Sequence, residues 1–390
     1  MRALLLLALA AGCVHRPPPP PVDLSAQLVR APLDPAVQAV LALGAADLDV
    51  SVRRDAIATL LTADPAPAGG AWGQRGRFDP SAYVQRAAVD RLALRIDETP
   101  ARDLLRALLA DPAADPWARG AAALALARGG RDGNVPATEL AADRTRLAEA
   151  AAAAQGSRAG ALLLAAAVAG DTPARTRLAE QLSAGNLPLE LWFFRAIGES
   201  RVDALVGPLV QALDRVEPEI QLAVAAALLE LGSPAGERAL AAAVTESEDR
   251  ALEALEYLVD VRAPAADAVL RGALAAAPLA RDAATLALFG RGEGDVAAVL
   301  RLLAEGDAEL RVLAATAAGV RLRADAALQG QDRLRVALRE ALPEADPSLQ
   351  LALIGALGGS PVAADRAALT ELLADESIRV RVAAAAALAR

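Results

Sequence analysis

Apolar and polar positions along this chain follow one repeated frame, most legible at its end, where Asp375 to Leu388 reads DESIRVRVAAAAAL. An aliphatic residue precedes Arg or Gln, and after two free positions come two small residues, a free position, a small residue and Leu. The frame starts at Val52-Arg53, Val84-Gln85, Ala118-Arg119, Ile220-Gln221, Ala280-Arg281, Leu310-Arg311, Leu349-Gln350 and Val380-Arg381. Successive starts lie 32, 34, 102, 60, 30, 39 and 31 residues apart, and the two long gaps are close to three and two periods of a little over 30. A fixed period in that range marks a stacked repeat array, whose units bury their apolar faces against their neighbours.

Each frame predicts the second helix of a pair. Several are entered through an acid and proline, as in Asp79-Pro80, Asp115-Pro116, Glu217-Pro218 and Asp346-Pro347. An acid at the cap suits the positive end of the helix dipole, and proline at the first position lacks only an N–H that would be unsatisfied there. Between frames, stretches such as 101–110, 202–213, 295–306 and 365–376 carry Leu and Val at three- and four-residue steps, the stripe of a first helix. Degenerate copies at 159–170, 188–199 and 249–260 fill the long gaps, giving about eleven pairs. Paired small residues such as Ala384-Ala385 let neighbouring axes approach closely.

The rhythm breaks in three places. Asp64 to Phe78, DPAPAGGAWGQRGRF, lacks periodicity and reads as an irregular loop. Its Trp72 and Phe78 are candidate protein-binding anchors, with Trp72 folded back over apolar surface as the alternative. Trp192-Phe193-Phe194 occupies three adjacent helix positions, which span about 200° of circumference, so at least one ring should leave the core. These three are candidate binding residues, with the plugging of a locally wide core as the alternative. Finally, the last helix runs into Arg390 without a polar capping repeat, so its open end is either shielded by Arg side chains or docked onto something.

Composition sharpens the class. Apolar residues make up 55% and aromatics 2%, with Ala and Leu dominant, so the expectation is an all-α chain built from small and medium side chains. All 40 basic residues are Arg, a bias that fits a GC-rich coding sequence and carries no function. Net charge is −9, which disfavours phosphate backbones and argues against nucleic-acid binding.

Residues 1–12, MRALLLLALAAG, pair one Arg with a nine-residue apolar run, too short to span a bilayer but fitting a secretory signal. The ending Ala10-Ala11-Gly12-Cys13 resembles the lipobox of bacterial lipoproteins, with Ala10 where Leu is usual. That resemblance implies cleavage before Cys13 and lipidation of Cys13, and Val14 in place of Asp favours the outer membrane of a Gram-negative envelope. An ordinary secretory signal with an incidental cysteine is the alternative. Cys13 is the single cysteine of the chain, so no internal disulfide can form. Pro17 to Pro21 then favours an extended polyproline II rod, and 13–23 reads as a stalk. A docking ligand for a proline-reading domain is the less suited alternative in an envelope protein.

The frame with its leading acid resembles HEAT repeats, most closely the short subtype first described in phycobilisome lyases, with the pattern D-x-x-x-x-V-R-x-x-A-A-x-A-L. Asp375, Val380, Arg381, Ala384, Ala385, Ala387 and Leu388 match it position by position. The resemblance covers about 90% of the chain and implies a right-handed α-solenoid over 24–390. It also implies that the frame Arg and leading Asp form a hydrogen-bonded ladder between adjacent repeats, a row of Arg for an anionic ligand being the alternative. Gln at 85, 221 and 350 favours the ladder, because Gln keeps the hydrogen bond and drops the charge.

After the leader, the one His and the one Cys both precede the repeats, which excludes Ser–His–Asp and Cys–His catalysis and Cys/His zinc sites from the body. No phosphate-binding glycine motif occurs. The expectation is a non-catalytic interaction scaffold at the cell envelope, on the periplasmic or surface face. It would engage a protein partner and reach the membrane through its N-terminal lipid, without a cofactor, a metal, nucleic acid or a small-molecule substrate. The alternatives are a bilin-lyase-like chromophore enzyme, suggested by the repeat subtype, and a nucleic-acid-binding HEAT protein.

Overall fold

The computed structural model describes residues 33–63, 70–156, 159–185, 191–261, 263–325 and 327–390. The leader, Cys13 and the proline run lie outside the described residues. Among those described, all regular structure is helical, in 22 α-helices and two short 3-10 turns. These fall into two compact units, Asp47–Leu240 and Leu33–Ala46 with Ala241–Arg390.

The chain opens with α1 (Pro35–Gly44). The Asp47–Leu240 unit then runs α2 (Val50–Ala63), α3 (Ala71–Arg77), α4 (Ala82–Ala93), α5 (Thr99–Ala110), α6 (Pro116–Arg131) and α7 (Ala137–Ala153). It continues through α8 (Gly160–Val168), α9 (Thr172–Ser183), α10 (Leu191–Ser200), α11 (Val206–Leu213) and α12 (Pro218–Glu230). Second helices pack on second helices, α2 on α4, α4 on α6, α6 on α8 and α10 on α12, while first helices α3 and α5, and α9 and α11, form the other layer. This neighbour-to-neighbour packing is that of an α-solenoid. Frame positions face the stack: in α4, Val84, Ala88, Val89 and Leu92 are all buried.

The stretch expected as a loop is helical where it is described. α3 buries glycines, Gly73 and Gly76, while Trp72 is half-buried. A Cβ on Gly76 would lie 2.6 Å from Ala88 Cβ and 3.2 Å from Ile57 Cγ2, so the missing side chain is what lets α3 settle on α2 and α4. Apolar periodicity is silent there because the buried face is made of backbone. The degenerate copy at 159–170 shows the opposite extreme, for every residue of α8 from Gly160 to Ala167 is buried. A helix apolar all round must be enclosed, and α8 lies against α6, α7, α9 and α10.

Caps and arginines differ from the ladder that the resemblance implied. Asp115 and Asp346 do cap their helices, accepting from the N–H groups of Trp117 and Ala118, and of Ser348 and Leu349. Most frame residues, however, bind within their own pair. Arg119 Nε donates to Leu109 O at 3.2 Å, Arg311 Nε to Leu303 O at 3.1 Å and Gln221 Nε2 to Leu213 O at 3.3 Å. Each satisfies a carbonyl that the last turn of a first helix leaves without an intrahelical donor, and for that a neutral amide serves as well as a guanidinium. Of these frame residues only Arg53 reaches the next repeat's acid, gripping buried Asp79 at 3.0 and 3.2 Å while also donating to Asp47 O and Leu48 O. Asp79 therefore does not cap α4, whose N-cap is Ser81.

The densest ion pairing between repeats sits on first helices. Arg102, 2% exposed, donates to both Glu139 oxygens at 2.9 and 3.0 Å, and Arg106 to both Asp143 oxygens at 2.8 and 2.7 Å, joining α5 to α7. Hydrogen bonds from Arg102 and then Arg106 hold the Glu139 carboxyl at about 2, against 4.5 for a free glutamate. A carboxyl lowered by folding stabilises the fold fully above pH 4.5 and loses that contribution as pH falls through about 2. Urea midpoints taken from pH 6 to pH 2 should accordingly fall more steeply in the native chain than in Glu139→Gln; equal slopes would refute the coupling.

In the other unit the chain runs from the end of α13 (Pro234–Glu246) through α14 (Glu248–Asp260), α15 (Pro264–Ala273), α16 (Pro278–Gly290), α17 (Val296–Glu305) and α18 (Ala308–Ala324). It ends with α19 (Gln331–Ala341), α20 (Pro347–Leu357), α21 (Ala363–Glu371) and α22 (Ile378–Leu388). Second helices again stack in series, α14 to α16, α18, α20 and α22, and one apolar cluster extends from Leu286 to Ala387. The expected open end is closed, because α1 packs on α22. Asp34 caps α1, which buries Val37 and Leu41, and no residue of α22 is exposed.

Candidate functional site

The largest aromatic assembly lies in the Asp47–Leu240 unit and is built by repeat register. Tyr83, Trp117 and Trp192 are each the second residue of a second helix, α4, α6 and α10. Tyr83 and Trp117 stand in the free position immediately before the frame, where the other frames carry Ser51, Glu219, Leu279, Glu309, Ser348 and Arg379. Stacked second helices carry equivalent positions to one edge, so the three rings meet. Tyr83 and Trp117 are 5.8 Å apart and edge-on at 82°, and Trp117 and Trp192 are 5.8 Å apart and tilted by 48°.

Trp117 and Trp192 are adjacent although a repeat separates α6 from α10. α6 closes on α8 at Gly120, where a Cβ would lie 2.5 Å from Ala161 Cβ and 3.8 Å from the Trp192 ring. At the far end of α6, Arg128 donates to Ala196 O at 3.1 Å and Arg131 to Ser200 O at 2.6 Å, binding α6 to the last carbonyls of α10. Contact between α6 and α10 at both ends explains why α8 shows no solvent face and why its copy of the frame lacks Arg. Partial burial alone would raise the Glu199 carboxyl, but Arg128 and Arg195 hold it below the usual glutamate range.

Arg86, one turn after Tyr83, places its guanidinium 4.5 Å from the ring centroids of both Trp117 and Trp192. A cation shared by two indole faces fixes the tilt between them. Tyr83 remains 63% exposed, and the Trp117 indole N–H is buried without an acceptor. The row thus presents the Tyr83 ring to solvent beside two half-buried indoles, with the Trp117 N–H enclosed.

Of the candidate residues, only Trp192 joins the row, where it is half-buried. Phe193 and Phe194 continue the ring contacts inward, at 6.2 and 5.9 Å, but are 1% and 0% exposed and belong to the core, so they are not available to a partner. Phe78 caps the C-terminus of α3, 64% exposed, with the Arg77 guanidinium 4.6 Å from its ring. Trp72 lies on α3 itself. Tyr83, Trp117 and Arg86 are absent from the residues singled out in the sequence; comparing the position before each frame across repeats would have found the first two.

Other surfaces offer less. A cleft of about 580 Å³ between α9 and α11 is lined by Arg175, Thr176, Glu180, Gln211 and Arg215, all exposed, so it cannot exclude water from a ligand. Among the described residues no cluster of His, Cys, Asp and Glu could hold a metal ion, and no helix is long and apolar enough to cross a membrane.

No family model matches the chain, and none of the curated proteins does. Among solved structures it is similar to the crystal structure of an engineered protein of the Northeast Structural Genomics Consortium, at 18% identity over 91% of this chain and 98% of that one, with a TM-score of 0.28. At that score the likeness carries no argument.

Proposed function

We propose that this protein is a non-catalytic interaction scaffold of the HEAT-repeat type, held at the bacterial envelope by a lipid on Cys13 and engaging a protein partner through the Tyr83–Trp117–Trp192 row. The observation that carries the reading is the register of the row: three large rings at one helix position, in a chain with nine aromatics among 390 residues. Core packing alone would not leave Tyr83 mostly in solvent. Rigid aromatics presented on helices give large contact area at little entropic cost, the composition of a binding hot spot.

A photo-crosslinking residue at position 83, introduced in the native envelope, should give a discrete protein adduct that is lost in Trp192→Ala. An adduct that survives Trp192→Ala, or no adduct at all, would remove the row from any binding role. Anchoring is tested separately: Cys13→Ser should move the protein from the membrane fraction to the soluble fraction, and continued membrane association would refute the lipid anchor.

A further inference from the structure

We infer that the face of α4 beside the aromatic row docks a basic segment of the protein partner, with a Lys or Arg of that segment pairing with Asp90 while apolar neighbours cover Tyr83 and Leu94. The inference rests on the row being a binding surface and names the chemistry of what it binds. Tyr83, Ala87, Asp90 and Leu94 follow one another at steps of four, three and four residues, the spacing of one helix face. Over that stretch of about 16 Å, Tyr83 is 63% and Leu94 53% exposed, Asp90 is exposed, and half-buried Ala87 keeps the middle low. The face therefore has two apolar ends around one carboxylate.

Nothing in the repeat asks for an acid there. Asp90 fills the free position before the last small residue of the frame, where the other seven frames carry Ala, Leu, Thr or Gly. Among the described residues its side chain accepts no hydrogen bond and forms no ion pair. Protein nevertheless crowds it: burial lifts its carboxyl above the usual aspartate range, with Arg86 and Arg91 opposing, Glu199 adding and Arg195 opposing. A carboxylate partly stripped of water and left without a partner is held at a cost to the fold, which an incoming cation offsets. The neighbouring cations do not fill that role. Arg86 lies 4.5 Å from the Trp117 and Trp192 ring centroids, and Arg128 and Arg195 hold Glu199. Arg91, the next residue, leaves the helix about 100° round from Asp90. What the face lacks is a positive charge from outside, delivered between apolar side chains, and complementarity of that kind selects a partner more than it tightens one.

The test uses the full chain with the photo-crosslinking residue at position 83 in the native envelope and compares adduct yield across Asp90 variants. Asp90→Lys should lower the yield at least tenfold, Asp90→Asn should lower it, and Asp90→Glu, which keeps the charge, should retain it. Asp90 is exposed, so none of these should alter circular dichroism. Fragmentation of the adduct should place a Lys or Arg with apolar neighbours at the point of attachment, and changing that residue to Glu should restore the adduct in Asp90→Lys. The purified chain supplies a second reading that needs no partner. With its pKa raised by folding, Asp90 contributes fully below the ordinary aspartate pKa and loses that contribution as pH rises through the raised one, so Asp90→Asn should raise the urea midpoint at pH 7. An unchanged adduct in Asp90→Lys, attachment to anything other than a basic protein segment, or a midpoint no higher in Asp90→Asn would each overturn the inference. If the adduct depends on Trp192 but not on Asp90, the partner's chemistry is wrong and the scaffold stands; with no adduct at all, the row itself is structural.

Discussion

Asp365→Ala should cost the fold about 3–5 kcal/mol, the largest single-residue loss expected outside the helix stacks. Asp365 is fully buried in the first turn of α21. One carboxylate oxygen accepts from Arg335 and from the Ser360 hydroxyl, each at 2.6 Å, and the other accepts from Arg339. Arg335 is itself only 6% exposed, so removing the acid strands a guanidinium away from water with the Ser360 hydroxyl, at 2.6 Å, as its named partner. Most of the expected loss is that uncompensated charge, not the attraction of the pair, because taking two ions out of water consumes much of their Coulomb energy. The double replacement Arg335→Met with Asp365→Leu should therefore recover most of what Asp365→Ala loses. Urea denaturation followed by circular dichroism reads both; a single replacement costing less than about 1 kcal/mol, the worth of a surface pair, would show that the cluster is not buried in solution.

Leu41→Ala should cost about 2–5 kcal/mol, as a buried leucine does, and should be felt most at the other end of the chain. Leu41 and Val37 form the buried face of α1, which covers α22. A terminal repeat with one bare face frays, because each unit of an array is held only by its neighbours. With Leu41 truncated, amide exchange across 378–388 should accelerate by orders of magnitude while α18 keeps its protection. Unchanged exchange in α22 would mean that α20 and α21 suffice to hold it and that α1 is no cap.

Much of the architecture was legible because helix packing in an array is local. A buried position recurs each period, so the frame reports helix type, helix order and pair count, and the degenerate copies at 159–170, 188–199 and 249–260 are the helices α8, α10 and α14. Where the buried face is glycine, as in α3, the apolar pattern has nothing to report. The partner of a charge was also illegible. Arg53 and Arg119 occupy the same frame position, yet one bridges to Asp79 and the other stays with Leu109 O, because the choice depends on where the next repeat places its acid. For the candidate site, Trp192 stood out by local clustering, whereas Tyr83 and Trp117 each look like a solitary ring on a helix.

By itself the sequence determined that the protein is all-helical, that its helices come in stacked pairs and which residues line the stack, since these follow from periodicity and from the small volume of alanine. Only the tertiary structure decided that α1 covers α22, that α8 is enclosed between its neighbours, and that Tyr83, Trp117, Trp192 and Arg86 form one surface. For the most distant of these the reason is separation along the chain: a repeat frame encodes contacts one period away, whereas Trp117 and Trp192 lie two periods apart and α1 and α22 near opposite ends.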